Sequence, residues 1–208
     1  MILEACVGNL KDALSAKNKG AHQIELCSRL DLDGNSPSIE LIKQVTSSLD
    51  IPVKIIINPK PYDYRYTEKE ILEIDAYIQA IRPYDIDGIV FGPVDDKGMP
   101  DLEAISYISG RTDVPITFHK AIDAATDIVE AARALVTQNK VQYILTSGGA
   151  QTADEGGSVL LKIKKLIRES ASSIQIIGAG KITNENLPSL HARLNLNYYH
   201  GKLIVGKL

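Results

Sequence analysis

Short aliphatic and β-branched runs alternate with stretches of helical periodicity along almost the whole chain. Eight runs read as strands, at 2–7, 22–27, 53–57, 88–91, 114–118, 143–146, 174–177 and, more weakly, within 197–205. Helical patterns fall between them at 9–18, 37–48, 67–81, 101–109, 127–138, 157–169 and 184–193. Such regular alternation predicts βα units and a parallel sheet rather than a sandwich. Local chemistry marks several boundaries. Ser36-Pro37 has the form of an N-cap with proline at the first helical position, and Thr67 with Glu70 has the spacing of a capping box. Pro52 and Pro115 push the residue before each of them into extended geometry and so launch strands.

Eight units in 208 residues leave about 26 residues each. A (β/α)8 barrel normally takes about 250 residues but can be built from about 200. The economy falls at the end, where no helical pattern follows the eighth strand. The expected fold is therefore α/β, a single compact TIM-type barrel domain over 1–208 without a regular last helix. An open doubly wound sheet is the competing architecture, but the first βα turn, Val7-Gly8-Asn9-Leu10, is not a G-x-G-x-x-G loop.

Parallel strands buried on both faces should be nearly all apolar, so polar residues within them are informative. With a period of two, Glu4 and Cys6 share one face of the first strand, and Gln23, Glu25 and Cys27 one face of the second. Lys54, Ile56 and Asn58 line up in the third, and Thr117 and His119 in the fifth. If the apolar faces meet the helices, these side chains point into the barrel toward its C-terminal mouth. Glu4 and Glu25, on strands about 4.8 Å apart, repel unless a proton or a cation such as the Lys54 ammonium joins them. They form either a satisfied polar layer or a carboxyl pair with one raised pKa, fit for proton transfer.

Cys6 and Cys27 end neighbouring strands on the same face. Two metal–thiolate bonds of about 2.3 Å need sulfurs within about 4.6 Å, which the strand spacing permits, and soft two-sulfur coordination suits Cu(I). Buried inert thiols are the alternative. No C-x-x-C and no histidine pair at helical spacing strengthens the metal reading. His119, with Asp123 four residues on, forms a candidate acid–base pair at the mouth, or else a structural histidine held by a loop carboxylate. His22 begins a strand and His191 lies in a helical segment, so neither is a candidate. Glycine-rich loops follow the sixth and seventh strands, where barrels often bind phosphate. Ser147, Gly149, Gly180 and Lys181 are thus candidate anion or substrate contacts, with Glu4, Lys54 and Asn58 behind them; plain tight turns are the alternative.

Composition narrows the setting. The chain has 23 Lys and Arg against 26 Asp and Glu, and no basic block in either half, which speaks against nucleic acid as a partner. Its strongly apolar runs of about five to eight residues fall well short of the ~20 needed to cross a bilayer, and the N-terminus carries no secretory pattern. A cytoplasmic protein is expected, with both cysteines as thiols.

Six blocks then stand in a familiar order: Glu4-x-Cys6-Val7, the run from Gly20 to Cys27, Asp33-Gly34-x-x-Pro37-Ser38, Gly88-Ile89-Val90-Phe91-Gly92, Thr117-Phe118-His119-Lys120-Ala121-x-Asp123, and Leu145-Thr146-Ser147-Gly148-Gly149. In order and spacing the chain resembles the CutC family from Met1 to about Gly180. The resemblance implies a cytosolic TIM barrel, often a homo-oligomer, of a family named for copper homeostasis. It departs from the family's usual arginines at Gln23, Asn58, Lys60 and Lys120, losing charge or the bidentate fork that favours phosphate and carboxylate. The tail keeps only His200-Gly201 of the usual final strand. Two functions follow. One is copper handling, with Cys6 and Cys27 as Cu(I) ligands; the other is an enzyme using Glu25, His119 and Asp123 on a small substrate, phosphorylated or not.

Overall fold

In the computed structural model, which describes residues 1–32, 34–60 and 63–208, eight parallel strands close into a barrel in sequence order. They are β1 (Ile2–Val7), β2 (Gln23–Leu26), β3 (Val53–Ile56), β4 (Gly88–Val90), β5 (Ile116–Phe118), β6 (Tyr143–Thr146), β7 (Gln175–Gly178) and β8 (Tyr198–Gly201). The connecting helices are α1 (Leu10–Asn18), α2 (Ile39–Thr46), α3 (Glu68–Ile81), α4 (Leu102–Ser109), α5 (Ile128–Gln138), α6 (Gly157–Glu169) and α7 (Leu187–Leu194). Residues 202–208 form no helix. Asp33, part of one family-like block, lies outside the described residues. Among the described residues no helix is long and apolar enough to cross a membrane.

The period of two sorts the strands as the sequence pattern implies. Ala5, Val7, Ile24, Leu26, Ile55, Ile89, Phe91, Ile116 and Phe118 face outward into one continuous core with Ile42, Val45, Ile74, Ile105 and Leu135 from the helices. The inward face differs around the circumference. Glu4, Gln23, Glu25, Lys54 and Thr117 are buried on β1, β2, β3 and β5, whereas Leu145 and Ile177 make a small apolar cluster on β6 and β7.

The boundaries follow local chemistry, with two corrections. Thr67 and Glu70 do form a reciprocal capping box at α3. Ser36-Pro37, however, does not start α2; Ser38 is the N-cap, its hydroxyl accepting from Leu41 N at 3.2 Å. Ser36 is instead tied to the end of β3, its Oγ accepting from Asn58 N at 2.8 Å and its own N–H donating to Asn58 O. The last helix starts at Leu187 rather than at residue 184, because Thr183 and Asn186 close a side-chain turn ahead of it.

β8, the weakest strand in the sequence, is anchored on its outer face by Tyr199. Tyr199 has no solvent exposure and packs in the outer core. Its hydroxyl accepts from Leu196 N at 3.0 Å and meets His191 Nδ1 at 3.1 Å. Tyr199→Phe keeps the ring but leaves a buried N–H unpaired, so unfolding in urea should show a loss of about 1–3 kcal/mol. A midpoint equal to wild type would show that the hydroxyl contributes nothing to closing the barrel.

Candidate functional site

The centre of the inward face is ionic. Glu4 is completely buried, and three strands bring donors to it. Register sets Glu4 beside Gln23 on β2 and beside His200 on β8, while Lys54 on β3 lies beside Glu25. Gln23 Nε2 donates to Glu4 Oε2 at 2.6 Å, Lys54 Nζ lies 2.9 Å from the same oxygen, and His200 Nδ1 lies 2.9 Å from Oε1. Lys54 also stands over the Tyr143 ring from the far wall, 4.1 Å from its centroid. Burial alone would raise the Glu4 pKa, but Lys54 and His200 outweigh it and hold the carboxyl at about 2.

Above this layer lies a soft-donor cluster. Cys6 sits beside Glu25 in the register, and Cys27 one step nearer the mouth, its N–H bonded to Val7 O. The two sulfurs are 3.6 Å apart, both free thiols, with Cys6 Sγ 3.5 Å from Glu25 Oε1 and Cys27 Sγ 3.3 Å from Val7 O. His200 Nε2 lies 3.9 Å from Glu25 Oε1. One ligand atom each from Cys6, Glu25 and His200 lies within 4.8 Å of the others. Ile56 and Val90 pack against the two cysteines as a dry wall.

The electrostatics of this cluster favour its protonated forms. The hydrogen bond to Cys27 pushes the Cys6 thiol well above its usual range, helped by burial and by the Glu25 charge. Burial raises the Glu25 carboxyl, whose Oε2 has no hydrogen-bond partner. For His200 burial acts downward, yet the Glu25 charge and the hydrogen bonds to Cys6 and Glu4 carry its pKa well up.

The donors fit a soft cation such as Cu(I), and the sulfur separation lies within the limit of about 4.6 Å for two thiolate bonds. Sulfurs 3.6 Å apart are too close for a linear site; two bonds of about 2.3 Å spanning that gap enclose about 100°. An angle so bent leaves room for a third donor, and on the Cys6 side the His200 imidazole is a soft-to-borderline candidate. Sequence reasoning passed over His200 as a residue of an uncertain tail. The signal was there: in Tyr198-Tyr199-His200-Gly201, alternation puts Tyr198 and His200 on the inward face once Tyr199 is outward.

The other candidates are arranged differently from expectation. His119 and Asp123 do not form an acid–base pair. His119 Nδ1 accepts from Ala121 N at 3.2 Å, while the Asp123 carboxylate caps the β6 loop. Asp123 accepts from Ser147 N and Oγ, from Gly149 N at 3.0 Å and from the Thr146 hydroxyl. Gly148 and Gly149 both adopt positive φ, +73° and +75°, and so aim these amides at Asp123. Of the expected anion contacts, the Ser147 and Gly149 amides thus already hold a carboxylate of the chain itself. Gly180 makes a tight turn at φ +103° whose carbonyl accepts from Ala153 N, and Lys181 is exposed. Asn58 is buried and bonds to Gly34 O at 2.8 Å and to the Tyr66 hydroxyl, which ties the β2 loop to β3. Of the positions where arginine is usual, Gln23 serves Glu4, Lys60 pairs with Glu70 at 2.9 Å, and Lys120 lies 3.7 Å from Asp123.

A closed eight-stranded parallel barrel with a thiol, carboxylate and imidazole cluster at the C-terminal ends of its strands defines a TIM-type barrel protein. Comparison with known proteins is specific: the family model of the CutC family matches residues 1–205, and the chain belongs to that family. It is 36% identical over 187 residues to the human "Copper homeostasis protein cutC homolog", covering 89% of this chain and 67% of that one. The Mus musculus protein of the same name is 35% identical over the same share. A crystal structure from Streptococcus agalactiae, provisionally named copper homeostasis protein CutC, superposes with a TM-score of 0.88 at 25% identity, covering 98% of this chain and 99% of that one.

The buried charge set can be tested by unpairing it. Lys54→Met removes the lysine partner of the buried Glu4 carboxylate and should lower stability by about 3–5 kcal/mol, while Lys54→Met with Glu4→Gln should recover most of the loss. Glu4 also sets a pH window. Its pKa is lower folded than unfolded, so its contribution is complete above pH 4.5 and fades as pH falls toward about 2. A wild-type acid unfolding curve matched by Glu4→Gln would show that Glu4 stays unpaired.

Proposed function

We propose that the protein handles copper in the cytoplasm by binding Cu(I) at Cys6 and Cys27, with His200 as third donor. The observation that carries this reading is the 3.6 Å separation of two buried free thiols, one of which, Cys6, lies within 4.8 Å of the His200 imidazole. The names of the curated relatives support the same direction. Glu4, which meets His200 Nδ1 at 2.9 Å, orients the imidazole, while Glu25 lies beside the ligands, where its carboxylate balances the charge of the cation.

Binding requires deprotonated thiols and a neutral imidazole, and both Cys6 and His200 hold their protons more tightly than free side chains do. Copper must therefore displace protons, and apparent affinity should fall steadily as pH is lowered from 8 to 6.

A second reading, an enzyme with acid–base residues at the mouth, keeps one supporting observation. Glu25 is a buried carboxyl with a raised pKa and one oxygen without a hydrogen-bond partner, the profile of a proton-transfer group. The set proposed from sequence, Glu25, His119 and Asp123, shares no hydrogen bond among its members, so copper is the better-supported function.

The test is a competition titration of reduced protein with Cu(I) against a strong chelator. Cys6→Ser with Cys27→Ser should remove tight one-to-one binding, Glu25→Gln should weaken it about 10–100-fold, and His119→Ala should leave it unchanged. Retention of full affinity by the double cysteine variant would falsify the site.

A further inference from the structure

Away from the cysteines, the inward face of β5 carries two polar groups that the copper site does not use. Thr117 has no solvent exposure and His119 is 5% exposed. Thr117 Oγ1 and His119 Nε2 are both buried without a hydrogen-bond partner. The two residues are separated by one pleat on the same face, so both side chains address the barrel interior at its mouth. Such groups are rare in native structures because each has given up water for nothing.

The hydrogen-bond pattern fixes the chemistry of the histidine. Its Nδ1 accepts from the Ala121 N–H at 3.2 Å, so Nδ1 carries the lone pair and the proton of the neutral ring resides on Nε2. Burial lowers the pKa of this imidazole to about 4, which keeps it neutral at physiological pH. His119 Nε2 is therefore a neutral hydrogen-bond donor in search of an acceptor.

The ring is also held in place. Gly92, two residues beyond β4, lies directly against it, and a Cβ there would fall 2.3 Å from His119 Nδ1. Tyr64 packs on the imidazole at a centroid distance of 4.5 Å, and Phe118 lies on its other flank at 6.1 Å. Apolar neighbours and a neutral donor disfavour a bare anion. A neutral carbonyl oxygen has no such penalty, and a neutral imidazole that donates is well suited to polarise one. Thr117 Oγ1, able to donate and to accept, adds recognition of a hydroxyl.

We propose that the barrel mouth at β5 binds a small neutral hydroxycarbonyl compound, its carbonyl oxygen received by His119 Nε2–H and a hydroxyl by Thr117 Oγ1. The site uses none of the thiol cluster's side chains, and the Tyr64 ring packs beside its histidine.

The experiment is a titration of the full chain, labelled with 15N-histidine, followed through the His119 ring nitrogens by NMR. Dihydroxyacetone is the probe; glycerol, which has the hydroxyls but no carbonyl, and acetate, an anion, are the controls. Expected are an Nε2–H tautomer and a saturable shift of the Nε2 resonance with dihydroxyacetone, with glycerol giving less than a tenth of that shift. His119→Phe should lose the probe's protection of the Tyr64 region, read by hydrogen exchange, whereas His119→Gln, which offers an amide N–H at similar reach, should retain part of it. Gly92→Ala, which leaves histidine in place but pushes the ring aside, should lose the shift. An Nδ1–H tautomer, no saturable shift, an equal response to glycerol, or tighter binding of acetate would each overturn the proposal. Copper titration of the same sample is a separate readout, so failure here leaves the thiol site standing.

Discussion

Glu4 is a carboxylate with no exposure at the centre of a closed barrel, and a charge there is tolerable only if its partners arrive from several strands at once. Gln23 from β2, Lys54 from β3 and His200 from β8 do so. This one requirement links the first strand to the last. Because β1 and β8 close the barrel, the Glu4–His200 contact is both an ion pair and a check on ring closure. A hydrophobic layer could have filled the same space, as Leu145 and Ile177 do on the opposite wall. The ionic layer fixes which polar groups stand beneath the thiols.

What lies above that layer inherits its electrostatics. His200 spans two carboxylates, with Nδ1 toward Glu4 and Nε2 toward Glu25, so its orientation is set before any ligand is present. Cys6 and Cys27 come together through the stagger between β1 and β2 rather than by lying opposite one another. Gly34, at φ +91° with its Cα edge against Cys27, lets the β2 loop fold over the sulfur. The arrangement is preorganised for a soft cation: donors already face one another, and Ile56 and Val90 keep the space dry.

The far side of the mouth shows how one carboxylate can change the meaning of a motif. A glycine-rich turn after a barrel strand presents backbone N–H groups, and by itself that favours an external anion. Asp123, projecting from the loop after β5, occupies those donors and locks the β5 and β6 loops together. His119 is thereby left without a carboxylate partner, and its ring is oriented by a backbone amide instead. The two halves of the mouth thus differ in character, ionic and thiol-rich at β1, β2 and β8, neutral and aromatic-lined at β5.

The sequence by itself determined the alternation of strands and helices, the single barrel, the capping box at α3, and the inward placement of Glu4, Cys6, Glu25, Cys27, Lys54 and His119. These follow from periodicities of two and 3.6, which act over a few residues and are written directly in the residue order. Six sequence blocks also placed the chain in its family. Only the tertiary structure decided that His200 joins Glu4 and Glu25, that Asp123 turns to Ser147 and Gly149 rather than to His119, and that Ser36 bonds to Asn58 instead of starting a helix. Each of these is a pairing between groups 22 to 196 residues apart. Partners of that kind are chosen by barrel closure, strand stagger and the need to satisfy buried polar groups, none of which has a local signature.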